Sequence, residues 1–130
     1  MTQTANNRFS KSQRLLRHAD FERVYKQGRR HFAAHLTVFY LERTGETTDG
    51  GVGSRVGFTV SKALGGAVQR NRMKRRLREA VRLQAVPAGV NADIVINPKR
   101  TLLTAEFADL RNEIAKAFVV IEKALKKEKR

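Results

Sequence analysis

From Phe107 to Leu125 the apolar positions recur at intervals of three and four. Phe107, Leu110, Ile114, Ala117, Phe118, Ile121 and Leu125 lie along one stripe when wound at helical pitch. Thr104 precedes them as a helix cap, and Glu106 and Asp109 place acid near the positive end of the helix dipole. The stripe is too short for a coiled-coil seam, so it predicts a core helix. A second helical pattern runs through Met73, Leu77, Ala80 and Gln84, entered from Gly65-Gly66 and ended by Pro87-Ala88-Gly89. A third, shorter one has Asp20 as cap or first-turn acid, Phe21, Val24 and Tyr25 at helical spacing, and Gly28 as its stop.

Other stretches alternate with period two. His31 to Leu41 predicts a strand with Leu36, Val38 and Tyr40 on one face and Thr37, Phe39 and Leu41 on the other. Both faces carry large apolar groups, so both need covering. Glu42 to Ser54, rich in Thr, Gly and acid, reads as a hairpin loop. Arg55 to Ser61 is a second strand, in which Gly57 leaves a bare patch for the approach of a backbone or ligand. Ala92 to Asn97 is a short buried strand stopped by Pro98. The order is helix, two or three strands, helix, strand, helix. It predicts an α+β sandwich, αββ(β)αβα, with a small, mostly antiparallel sheet packed by helices. General rules make its βαβ crossover right-handed. Residues 1–130 read as one domain, with a polar flexible leader over 1–12 and a frayed basic tail over 126–130.

Charge changes this picture from a generic fold to a polyanion-binding one. The chain carries a net charge of +15 and a sequence pI near 11.3. That balance attracts nucleic acid or an anionic membrane surface. No apolar run is long enough to span a bilayer and no signal-peptide pattern opens the chain. The absence of cysteine excludes disulfides and thiolate-bound zinc. The expectation is a soluble, cytoplasmic protein.

The charge concentrates on the helix after Gly66. Opposite its apolar stripe, Asn71, Arg75, Arg78 and Arg82 recur at intervals of four, three and four, and Arg70, Arg72, Lys74 and Arg76 fill the flanks. Like charges at this spacing repel one another and weaken the helix slightly. A solvated face normally mixes both signs, whereas Glu79 is the only acid here. Arginine also grips phosphate bidentately, which favours a phosphate-binding rail over a merely solvated face. Gly65-Gly66 is followed by Ala67 and lacks the Gly-Lys-Ser/Thr of a nucleotide-binding loop. Two readings stand for it: a plain turn, or backbone N–H groups beside Lys62 that hold one anion.

Lys62, Ala67-Val68, Arg70-Asn71-Arg72-Met73-Lys74-Arg75 and Arg78-Glu79 together resemble the signature of the protein subunit of bacterial ribonuclease P, a family known for its Arg-Asn-Arg helix. The similarity takes in Phe21, Val24, Tyr25, Gly28 and the Arg55-Val56-Gly57 strand, and spans roughly Arg14 to Leu125. The resemblance implies that Lys62, Arg70, Asn71, Arg72, Lys74, Arg75, Arg78 and Arg82 bind the catalytic RNA subunit. It implies that Phe21, Val24, Tyr25, Phe39 and Arg55 line a cleft for the single-stranded 5′ leader of precursor tRNA, with Tyr40 the alternative to Phe39. It also implies a left-handed crossover, against the general rule, and phosphodiester chemistry carried by the RNA with Mg²⁺ bound mainly by that RNA and the substrate. The residues themselves give Phe21 and Tyr25 a plainer role as the core face of their helix. The two roles are compatible, since an aromatic ring packs with one edge and stacks with the other.

Residues for autonomous catalysis are sparse. His31 and His35 fit one strand face, as a two-histidine ribonuclease would require, but nothing else supports that chemistry. The acids are scattered, with no cluster for paired metal ions. Two functions therefore stand. One is an accessory subunit of a ribonucleoprotein endonuclease that matures tRNA 5′ ends. The other is a structural RNA-binding protein, such as a ribosomal protein, with no enzymatic association.

Overall fold

The computed structural model describes residue 14 and residues 17–43, 53–84, 86–87 and 89–128. Three helices and four strands follow one another as α1 (His18–Gln27), β1 (Arg29–Phe32), β2 (Leu36–Glu42), β3 (Arg55–Phe58), α2 (Ala67–Arg82), β4 (Ala92–Pro98) and α3 (Phe107–Glu128). Short 3₁₀ turns at Lys62–Leu64 and Arg100–Leu103 precede α2 and α3. The sheet order is β1-β2-β4-β3, antiparallel between β1 and β2 and between β2 and β4, parallel between β3 and β4. This is the expected α+β architecture with a βαβ unit through α2.

Alternation along the strands sorts the sheet into two faces. Leu36, Val38, Tyr40, Val56, Ala92, Ile94 and Ile96 join the buried Met73, Leu77, Ala80 and Val81 of α2 and the apolar stripe of α3 in the main core. Of that α3 stripe only Phe107, at the helix start, is partly exposed. Among the described residues the opposite face is covered by α1. There Val24 packs on Val95, with Phe21, Phe39 and Leu41 around them. Tyr40 therefore belongs to the main core, and Phe39 is the residue that faces α1.

Several sequence expectations change. The run His31–Leu41 is two strands, because the chain reverses at Ala33-Ala34-His35. Long-range bonds hold that reversal: the His35 amide donates to Glu113 Oε1 at 3.0 Å, and its carbonyl accepts from the Lys99 amide at 2.9 Å. The segment between β2 and β3 is no hairpin, since β4 inserts between those strands. Its centre, residues 44–52, lies outside the described residues, as do the expected leader over 1–12 and the last two residues of the tail. The first part of that tail is helical, because α3 runs to Glu128. Helix α2 ends at Arg82, before Pro87. Thr104 closes the 3₁₀ turn and does not cap α3, whose first carbonyl acceptor is Glu106.

Gly28 shows why α1 can stop directly against the sheet. A Cβ there would lie 2.5 Å from the Val24 carbonyl oxygen and 2.7 Å from that of Tyr40. Its φ of −83° is ordinary, so the requirement is for closeness between backbones and not for a left-handed turn.

Candidate RNA-binding surfaces

Helix α2 presents the cationic rail as its spacing predicts. Met73, Leu77 and Ala80 are fully buried, while Asn71, Arg72, Arg75 and Arg78 on the other side are exposed. The flanking residues are more constrained. Arg70 donates from Nε to the Gly65 carbonyl at 3.2 Å, which ties it to the turn before the helix. Lys74 is half-buried. Arg82 is paired with Glu79, accepting partner of both its Nε at 3.2 Å and its Nη2. The hydrogen bond from Arg82 holds the Glu79 carboxyl below the usual carboxylate range. Lys62 is exposed in the 3₁₀ turn ahead of α2. Gly66 begins α2 with no side-chain capping bond, and Gly65 has a φ of 140° that favours glycine.

Arg76 leaves this surface. Its guanidinium donates to the carbonyls of Leu102 and Leu103 at 3.1 and 2.8 Å and to that of Ala105 at 2.5 Å. It ties α2 to the entry of α3, and so has a structural task that its place among arginines conceals.

A second surface forms where α1 crosses the sheet. At the N-terminal end of α1, three arginines converge on two acids. Asp93, fully buried, accepts from Arg43 Nη1 at 2.8 Å, from Arg55 Nε and Nη2 at 2.9 Å each, and from Arg23 Nη2. Asp20 accepts from Arg23 Nη1 at 3.0 Å and lies 3.6 Å from Arg55 Nη2. Arg43 also donates to the Gly53 carbonyl at 2.6 Å. One charged cluster thus joins α1, the ends of β2 and β3, and β4. Beyond it, Tyr25 meets Phe39 edge-on at a centroid distance of 5.0 Å and donates its hydroxyl hydrogen to Asn97 Oδ1 at 3.0 Å. The Arg30 guanidinium lies 5.6 Å above the Phe39 ring.

The sequence-named cleft residues therefore separate by role. Phe21, Tyr25 and Phe39 do come together, with Tyr25 38% exposed. Val24 has no exposed surface and holds α1 to the sheet, so it does not meet a ligand directly. Arg55 is largely buried and committed to Asp93 and Asp20, which makes it part of the frame around the cleft. Asp93, Arg23, Arg43, Arg30 and Asn97 went unread. The signal for Asp93 and Asn97 was available: each is a polar residue in an otherwise apolar strand, and a buried acid demands cations.

The histidine pair, which nothing else in the sequence supported, does not form. His31 sits in β1 opposite Val38, while His35 lies in the following turn with its ring Nδ1 2.8 Å from Thr101 Oγ1. Among the described residues no group of three or more His, Cys, Asp or Glu is placed to hold a metal. Asp20 and Asp93 are close, but their oxygens face guanidiniums, so this donor set does not fit a resident Mg²⁺. Among the described residues no helix is long and apolar enough to cross a membrane.

Fold and surfaces define a small basic α+β domain with a cationic helical rail on one side of the sheet and an aromatic cluster beside α1 on the other. Comparison with known proteins makes this class specific. The family model described as Ribonuclease P matches residues 9–122. A ribonuclease P protein component from Oleidesulfovibrio alaskensis is 45% identical over 91 residues, 68% of each chain. One from a Geobacter species is 38% identical over 115 residues, 88% of this chain and 92% of the relative. The solved RNase P protein from Thermotoga maritima superposes with a TM-score of 0.66 at 26% identity, covering 81% of this chain and 94% of that one. The chain belongs to the ribonuclease P protein family, and the alternative of an RNA-binding protein without enzymatic association gives way to it.

Proposed function

We propose that the protein is the accessory subunit of a ribonucleoprotein endonuclease, binding a catalytic RNA through α2 and the 5′ leader of precursor tRNA through the α1 cleft. The observation that supports this most is the exposed rail of Asn71, Arg75 and Arg78 on the side of α2 away from the core. Planar guanidiniums at one-turn spacing match successive phosphates of a folded RNA. The cleft suits another ligand. The rings of Tyr25 and Phe39, with Arg30 beside them, offer stacking surfaces to unpaired bases.

In this reading the protein supplies grip and alignment, and no side chain attacks, protonates or holds the scissile phosphate. Mg²⁺, bound by the RNA and the substrate, supplies the Lewis acid for hydrolysis. The partners are the RNA subunit and precursor tRNA, and the compartment is the cytoplasm, where tRNA is transcribed and matured in bacteria. The test is reconstitution. The purified protein, the RNA subunit and their mixture are assayed for precursor-tRNA cleavage at low Mg²⁺. Stimulation by the mixture supports the proposal. Cleavage by the protein alone, abolished in a His31→Ala/His35→Ala variant, refutes it.

A further inference from the structure

The α1-side face of the sheet continues past the cleft residues onto the edge strand β1. The register pairs Arg30 with Phe39 and Phe32 with Thr37, so Arg30 and Phe32 share the face of Phe39. Thr37 in turn is paired with Asn97. Asn97, Thr37 and Phe32 thus form one row across β4, β2 and β1, at strand spacings of about 4.8 Å.

The aromatics on this face differ in how much ring they leave free. Phe39 is half-buried, with Tyr25 edge-on and Arg30 above it. Tyr25 is 38% exposed and anchored through its hydroxyl to Asn97. Phe32 is 66% exposed, the most exposed aromatic on this face among the described residues. Between the anchored Tyr25 and the free Phe32 lies a polar floor. Thr37 brings a hydroxyl, and Asn97, with Oδ1 taken by Tyr25, has amide hydrogens left to donate. The exposed Arg30, on the same face, borders the row.

We propose that Phe32, with Thr37 and Asn97 as its floor, is a further subsite for one unpaired nucleotide of the RNA leader, extending the cleft across β1. Charge decides the occupant: an aromatic platform edged by the Arg30 guanidinium suits the π-face and phosphate of a single-stranded nucleotide. An exposed four-stranded sheet carrying aromatics on its surface is one established way to bind such a strand. The base stacks on the Phe32 ring, its edge meets the Thr37 hydroxyl or the Asn97 amide, and its phosphate lies toward Arg30. The proposal rests on the leader-binding role proposed above.

The test uses the holoenzyme assembled with wild-type protein, Phe32→Ala or Phe32→Tyr. Affinity is measured for precursor tRNAs whose leaders grow one nucleotide at a time from none. A parallel series carries a fluorescent adenine analogue, quenched on stacking, at each leader position in turn. Wild type should gain affinity with leader length, and one analogue position should be quenched. Phe32→Ala should lose about five-fold or more of that gain at one length, the lower bound for stacking one base, together with the quenching at that position. Phe32→Tyr should keep both. If Phe32→Ala follows the wild-type length dependence, the subsite is wrong while the cleft stands. If wild type itself ignores leader length, the leader-binding role fails and the subsite with it. Loss of affinity for the RNA subunit, or a changed oligomeric state, with the leader dependence intact would assign Phe32 to another contact and overturn the proposal. Because Phe32 is so exposed, neither substitution threatens the fold, and circular dichroism checks this.

Discussion

Replacing Asp93 with Asn should strip the fold of its only fully buried carboxylate among the described residues while barely changing side-chain volume. Asp93 accepts hydrogen bonds from Arg23, Arg43 and Arg55, and the side chains of Arg43 and Arg55 are themselves 5% and 12% exposed. Asparagine keeps one acceptor oxygen and turns an NH₂ group, a donor, toward guanidinium donors. Arg23 and Arg55 would still face Asp20, while Arg43 would lose its carboxylate. Breaking a buried ion pair by removing one partner costs about 3–5 kcal/mol, mainly because the surviving charge stays desolvated. For a domain of this size that corresponds to a fall in Tm of roughly 10–20 °C. The assay is thermal and urea denaturation of Asp93→Asn beside wild type, with the urea slope confirming that the same surface is exposed. A fall in Tm of under about 3 °C, less than 1 kcal/mol, would refute the view that this cluster nails α1 to the sheet.

Two further outcomes follow from the arginines of α2. Arg76→Ala should destabilise the fold by about 2–4 kcal/mol, because three carbonyls at the entry to α3 lose a charged donor; Arg76→Lys should recover only part, since an ammonium cannot fork between them. Urea denaturation reads both variants. Glu79→Gln should free Arg82 for a phosphate and steepen the dependence of log K on log[salt] for RNA binding by about 0.7–0.9. The lowered carboxyl of Glu79 keeps that pair ionised at neutral pH, and its stabilising contribution is present above the ordinary carboxylate pKa and lost only as pH falls through the lowered value. An unchanged salt slope would show that Arg82 never reaches a phosphate.

How legible each part was depended on whether its cause was local. Helices α2 and α3 announce themselves because burial on one face imposes three-four spacing within a single segment. The rail was legible for the same reason: the residues opposite Met73 and Leu77 have nowhere to go but outward. The β1–β2 reversal was not legible, because Ala33-Ala34-His35 carries no turn chemistry and is held by Glu113, Thr101 and Lys99 from far along the chain. Strand order failed likewise, since a Gly- and Thr-rich segment suggests a hairpin and says nothing of a later strand inserting between its ends. Arg55 and Arg76 show the limit for charge. Sequence reveals a cation, but only the fold shows whether it faces a buried acid, a row of carbonyls or solvent.

If one small domain keeps two RNA surfaces apart, damage to each should be felt by a different RNA, and a two-by-two affinity measurement reads this. Arg75→Ala/Arg78→Ala and Tyr25→Ala are each titrated against the RNA subunit and, once assembled at high concentration, against long-leader and leaderless substrates. The rail variant should bind the RNA subunit more weakly yet retain the wild-type preference for a long leader. Tyr25→Ala should assemble normally and lose roughly five- to hundred-fold of that preference, the range for stacking one base. If both variants lower both affinities alike while remaining folded, or if Tyr25→Ala keeps the wild-type ratio, the two surfaces are not functionally separate and the account is contradicted.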